Sequence, residues 1–130
     1  MIIDHVGVVV GSLDAAETYY TSHFGLRVVG GRIVDPLQDV ELQFLEDDAG
    51  ARIELIRPLS ADSPASRALA SGGGLNHICY RVADLEATLE RCRAAGYKLI
   101  DETPRRGAGG RRIAFLHPKT TSGVLLELTE

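Results

Sequence analysis

Residues 2–10 run β-branched and apolar, broken only by Asp4, His5 and Gly7, and this predicts a strand. Ser12 then suits a helix N-cap, with Asp14 and Glu17 in the early turns near the positive end of the helix dipole. Leu13, Ala16, Tyr20 and Phe24 recur at helical spacing and predict one apolar face, and Gly25 ends the helix. Three strands are expected next, at Leu26–Ile33, Val40–Glu46 and Arg52–Arg57, with a turn at Asp47–Gly50 between the last two. Pro58 stops the third. Ser63 followed by Pro64 predicts the start of a short helix, and Gly72–Gly74 its end and a linker.

The pattern then begins again. His77–Val82 reads as a strand and Asp84 as a helix cap, with Leu85, Leu89 and Cys92 on one helical face and Gly96 at its end. Strands are expected at Lys98–Asp101, Arg112–His117 and Val124–Leu128. The halves align by simple offset. His77 follows His5 by 72 positions, and Val82, Leu85 and Ala87 follow Val10, Leu13 and Ala15 by the same interval. Phe115-Leu116-His117 matches Phe44-Leu45-Glu46 at 71, and Leu126-Glu127-Leu128 matches Ile53-Glu54-Leu55 at 73. Two copies are too few for a solenoid. They predict an α+β fold of two tandem βαβββ units, about 1–58 and 75–130, joined by a linker helix at about 63–71. The units form a curved, half-barrel mixed sheet around a metal cleft, in a single domain over 1–130.

The repeat carries chemistry. Each copy has a histidine on its first strand and a glutamate on its last, so His5, Glu54, His77 and Glu127 become candidate ligands of one divalent cation. Glu54 lies between Ile53 and Leu55, and Glu127 between Leu126 and Leu128, so alternation sends each carboxylate to the face opposite its neighbours. Two imidazoles and two carboxylates suit a borderline or hard divalent ion. A lone histidine at a strand start is usually structural. It is the recurrence of both residue types that favours ligands.

Composition excludes more than it assigns. Apolar and charged fractions of 45% and 25% are ordinary for a globular chain, and 14 Lys and Arg against 18 Asp and Glu leave no footprint for nucleic acid. The one basic cluster is Arg105, Arg106, Arg111 and Arg112 around Gly107–Gly110. No apolar run reaches the roughly 20 residues that span a bilayer. Cys79 and Cys92 lack metal-type spacing and are expected reduced, which suggests the cytoplasm.

Several stretches resemble the methylmalonyl-CoA epimerases, which belong to the vicinal-oxygen-chelate superfamily of glyoxalases, bleomycin-resistance proteins and extradiol dioxygenases. They are Asp4-His5-Val6-Gly7, Glu54–Leu59, Asp62-Ser63-Pro64, Leu75–Ile78 and the run from Asp101 to Glu127, above all Gly107–Gly110 and Phe115–Lys119. The resemblance implies an isomerase that inverts C2 of methylmalonyl-CoA, or of a similar acyl thioester, by proton abstraction through a metal-stabilised enolate. It puts metal ligands on His5, Glu54, His77 and Glu127, with cobalt, nickel, manganese or zinc as the ion. It makes Glu41 the first catalytic base and Glu127 a second, and implies a homodimer. Gln43, Gly109, Gly110 and His117 are candidate substrate contacts, and the basic loop suits coenzyme A phosphates, although a solvated loop is the simpler reading. Asn76 stands where the family usually has a histidine. The other readings are a glyoxalase I-like lyase or isomerase, and a metal-free small-molecule-binding protein of the same fold.

Overall fold

The computed structural model describes all 130 residues. Eight strands and three helices follow in the order β1 (Ile2–Val9), α1 (Leu13–Phe24), β2 (Arg27–Asp35), β3 (Val40–Glu46), β4 (Arg52–Pro58), α2 (Pro64–Ala70), β5 (Gly74–Arg81), α3 (Leu85–Ala94), β6 (Arg105–Arg106), β7 (Arg112–Leu116) and β8 (Leu125–Thr129). The fold is α+β, and βαβββ occurs twice. The chain forms two compact units, His5–Asn76 and Met1–Asp4 with His77–Glu130, so the boundary falls inside β1 and again inside β5.

In the first unit the strands lie in the order β2-β3-β4-β1. β1 pairs parallel with β4, while β3 pairs antiparallel with β2 and β4. Ser12 caps α1 by accepting from the Ala15 N–H at 3.2 Å, and Gly25 closes it in the left-handed region at φ 72°. α1 covers one sheet face through Leu13, Ala16 and Tyr20, packed with Val8, Leu45, Ile53 and Leu55. Phe24 departs from the expected face. It is exposed and leans on Tyr19, ring centroids 5.0 Å apart, because the helix outruns its core one turn after Tyr20. Gly73 has φ 70°, and a Cβ there would stand 2.7 Å from the Val9 carbonyl oxygen, so only glycine lets the chain leave α2 this close to β1.

In the second unit the order is β5-β8-β7-β6, with β5 and β8 parallel and the rest antiparallel. Asp84 caps α3 through the Ala87 N–H at 2.8 Å, and Leu85, Leu89 and Cys92 pack on Tyr80, Ala114, Leu116, Leu126 and Leu128. Asp4 belongs to this unit too. Its carboxylate takes two hydrogen bonds from Arg111, at 3.0 and 3.2 Å, across 107 residues of chain. That contact, against the cost of burial, holds the guanidinium above its ordinary pKa range.

Two expected boundaries are corrected. β5 begins at Gly74, inside the supposed linker, so Leu75 and Asn76 are already extended. The strand expected at Lys98–Asp101 is only an isolated bridge between Leu99 and Leu116, and the hairpin partner of β7 is β6 instead. The Asp101 carboxylate accepts the Phe115 N–H at 2.9 Å and so replaces the next rung of the ladder, and Pro104 has no N–H to offer. Neither cysteine is in a disulfide, and burial pushes the Cys92 thiol up. No helix is long and apolar enough to cross a membrane.

Leu85 is fully buried at the start of α3. Leu85→Ala should cost about 3 kcal/mol in a urea titration, through lost burial and a residual cavity. A loss below about 1 kcal/mol would mean that α3 does not hold this core together.

Candidate functional site

In each unit the strand face turned away from the helix carries the buried histidine and glutamate. In the first unit, β1 alternates so that Val8 joins the core under α1 while His5 points the other way, and His5 is 4% exposed. β4 does the same. Ile53 and Leu55 face α1, and Glu54 between them faces His5, with Nε2 and Oε2 3.4 Å apart. Phe44 pairs with Glu54 across β3 and β4, and its ring meets the His5 ring edge-to-face at 5.2 Å and 82°.

The second unit repeats this. His77 and Cys79 alternate with Ile78 and Tyr80, and Glu127 sits between Leu126 and Leu128, which pack under α3. His77 Nε2 lies 3.0 Å from Glu127 Oε2. Phe115 pairs with Glu127 across β7 and β8 and meets His77 edge-to-face at 5.8 Å and 90°. Each edge-to-face pair contributes about 1 kcal/mol beyond its buried area. Histidine, glutamate and phenylalanine therefore form one triplet per unit. The two phenylalanines were missing from the sequence reading as site residues, although Phe44 and Phe115 were visible there as matched positions of the repeat.

All four histidine and glutamate side chains are buried, between 4% and 7% exposed. A carboxylate so far from water needs cations or donors to remain charged. Each pair offers one imidazole nitrogen and one carboxylate oxygen, the donors that divalent metals take. The donor chemistry thus fits the expected ion.

The remaining candidates fall elsewhere. Glu41 pairs with Arg57 across β3 and β4, in the same row as Gln43 with Leu55 and Leu45 with Ile53, the face under α1. Its carboxylate is 3.1 Å from Arg57 and 4.0 Å from Arg32, which also binds Glu17 of α1. Glu41, expected as the first base, thus lies on the α1 face of β3, and on the Glu54 side the neighbouring position is Leu42. Gln43 does share the face of Glu41, as parity required, but its Nε2 donates to the carbonyls of Val29, Gly30 and Phe44 at 3.1–3.2 Å. The register between β2 and β3 shifts after Val29, and this amide satisfies carbonyls freed by the bulge.

Gly109 and Gly110 lie in a 3₁₀ turn before β7, with φ 68° and 77°, closed by the Gly110 N–H donating to Gly107 O at 3.1 Å. Three of the four nearby arginines are tied to carboxylates: Arg105 to Asp101, Arg111 to Asp4, and Arg112 to Glu86 and Glu130. Arg106 instead passes over the turn, its Nη1 3.6 Å from where a Cβ of Gly110 would be. His117 stands at the other end of β7, where its Nδ1 accepts the Lys119 N–H at 3.1 Å. It caps a turn rather than joining the glycines.

A family profile described as the Glyoxalase/Bleomycin resistance protein/Dioxygenase superfamily matches residues 4–115. The chain belongs to this superfamily. Within the superfamily, an ethylmalonyl-CoA/methylmalonyl-CoA epimerase of Cereibacter sphaeroides is 35% identical over 131 residues, covering 98% of this chain and 96% of that protein. The crystal structure of a methylmalonyl-CoA epimerase from Mycobacterium tuberculosis superposes with a TM-score of 0.93 at 38% identity, over 98% of this chain and 86% of that one. A methylmalonyl-CoA epimerase in complex with methylmalonyl-CoA and NH4+ gives a TM-score of 0.90 at 35% identity, over 98% and 92%.

Gln43→Leu removes the donor but keeps the volume. It should cost about 1 kcal/mol in chemical denaturation, since partly buried carbonyls lose their partner. An unchanged midpoint would show that the bulge finds water or another donor.

Proposed function

We propose that the chain is an epimerase that inverts C2 of methylmalonyl-CoA or a closely similar 2-substituted acyl thioester, and that His5, Glu54, His77 and Glu127 together hold one divalent cation. The observation that carries this is the doubled, buried histidine–glutamate pair, His5 with Glu54 in one unit and His77 with Glu127 in the other, each offering an imidazole nitrogen and a carboxylate oxygen. Relatives with the epimerase name match the chain over nearly its full length, among them one structure in complex with methylmalonyl-CoA. Cobalt, nickel, manganese and zinc all suit the donor set.

The C2 proton lies between a thioester and a carboxylate and becomes acidic when negative charge on the thioester oxygen is stabilised. A bound divalent ion supplies that stabilisation as a Lewis acid. The chain's own part is to hold the substrate and to move the proton. Glu127 is the proposed proton acceptor at its carboxylate, with His77 Nε2 3.0 Å away to orient it. Inversion needs a second carrier, and Glu54, the repeat equivalent of Glu127, is better placed for it than Glu41, which lies on the helix face of β3. Phe44 and Phe115 line both imidazoles with apolar surface, which keeps water away from the acidic carbon. Gly109, Gly110 and Arg106 are the proposed contacts for the acyl-CoA, because open glycine backbone and an uncommitted guanidinium suit anions.

Two cysteines outside any disulfide fit a reducing cytoplasm. A homodimer completes the reading. Val28, Val34 and Leu37, exposed on or beside β2, give a second copy apolar surface to cover.

His77→Ala or Glu127→Ala should lose stoichiometric metal by elemental analysis and slow C2 proton exchange in deuterated water at least about 100-fold. Full exchange in either variant overturns the ligand assignment. Glu41→Gln should exchange within about two-fold of wild type, as a change remote from the chemistry does. A large loss there would restore Glu41 as a base. Turnover of a methylglyoxal–glutathione hemithioacetal, with none of methylmalonyl-CoA, would replace the epimerase with a glyoxalase.

A further inference from the structure

Arg105 is placed with more care than a surface arginine needs. Its Nε donates to Asp101 Oδ1 at 2.9 Å, and its guanidinium carbon stands 5.5 Å from the centroid of the Phe115 ring. Its Nη1 is buried with no hydrogen-bond partner, so this nitrogen has given up water to cover the aromatic ring. The other oxygen of the same Asp101 carboxylate, Oδ2, accepts the Phe115 N–H at 2.9 Å, and the Ile100 N–H donates to the Phe115 carbonyl at 2.8 Å. One carboxylate thus fixes both the backbone of Phe115 and the cation over its ring. That ring is the edge-to-face partner of His77.

We propose that Arg105 is a positioning residue: anchored by Asp101, it pins the Phe115 ring and through it sets the orientation of the His77 imidazole. The fold does not demand this arrangement. Phe44 is the repeat equivalent of Phe115 and packs on His5 in the same way. Yet the apolar Ile33 stands opposite Leu42 where Arg105 stands opposite the repeat-equivalent Ile113, and Gly30 stands as far before Phe44 as Asp101 before Phe115. A carboxylate and a guanidinium have been added to one copy only, the copy that carries the proposed proton acceptor Glu127. The consequence for catalysis rests on the epimerase reading, whereas the coupling of Arg105 to His77 belongs to the metal-free chain and is measurable there.

The experiment is aromatic ¹H–¹³C NMR of the metal-free protein at fixed pH, comparing wild type with Arg105→Met, Arg105→Lys and Asp101→Asn, and with Arg106→Met as a neighbouring control. The Phe115 and His77 ring signals should shift in Arg105→Met and return part of the way in Arg105→Lys. His5 signals should stay in place throughout, and Arg106→Met should match wild type. Asp101→Asn should move the same signals as Arg105→Met, and it serves if the latter fails to fold. Unchanged His77 signals, or His5 and His77 shifting together, would overturn the proposal. With cobalt(II) added, Arg105→Met should bind about ten-fold more weakly than wild type. A wild type that takes up no cobalt and exchanges no C2 proton would sink the epimerase reading, while the NMR comparison would still decide the clamp.

Discussion

A carboxylate buried beside an imidazole, made twice, is the constraint around which this chain is arranged. Glu54 and Glu127 are each almost sealed from water, and each has histidine Nε2 within 3.4 Å. Burying an acidic group is costly unless something cancels its charge. Everything nearby serves that arrangement. Strand alternation gives the helix face to Ile53 and Leu55, or Leu126 and Leu128, and leaves the opposite face for the acid. A phenylalanine on the adjacent strand closes over each histidine. The helices α1 and α3 supply the apolar layer against which these strands can hold a charged residue in a fixed direction.

How much of this was readable in the sequence depends on the period of the signal. Helix caps at Ser12, Ser63 and Asp84 are local, and each accepts from the backbone as the residue type predicted. The two histidine–glutamate pairs were readable because the repeat carries each residue type twice, and because parity within a single strand is rigid. The rest required knowing which strand pairs with which. Glu41 and Gln43 share a face, as alternation demands, but whether that face meets α1 or His5 is fixed only by their register with Arg57 and Leu55. Gln43 looked like a substrate donor because nothing in one dimension reveals a bulge in β2 with carbonyls to satisfy. The edge strand beside β7 misled for a similar reason: Asp101 puts a side-chain acceptor where a backbone carbonyl was expected, so pairing lapses and resumes at Arg105.

The repeat is also informative where it fails. The cores, helix caps and histidine–glutamate pairs of the two units correspond, so they belong to what one βαβββ unit needs in order to fold and present a histidine and a glutamate. The differences cluster before β3 and β7. One copy has a bulge held by an amide, and the other has a glycine turn flanked by arginines and an aspartate bound to the next strand. Duplication thus supplied a symmetric frame, and its hairpins have diverged, as expected if the substrate is not symmetric.

The tie between Asp4 and Arg111 bears on how the molecule comes into being. The first four residues leave the ribosome long before Arg111, which follows 107 positions later. Until then the opening segment has the longer ion pair of Asp4 Oδ2 with Arg81 Nε, at 3.9 Å, but not the two hydrogen bonds from Arg111. Its apolar neighbours Ile2 and Ile3, exposed even in the finished fold, face solvent on a nascent chain. Contacts this distant along the chain carry a large loop-closure entropy and slow the search for the native arrangement. Emergence of Arg111 is therefore what completes the tie that holds Asp4, and a chain stalled before β7 would leave that carboxylate without its two hydrogen bonds from the guanidinium.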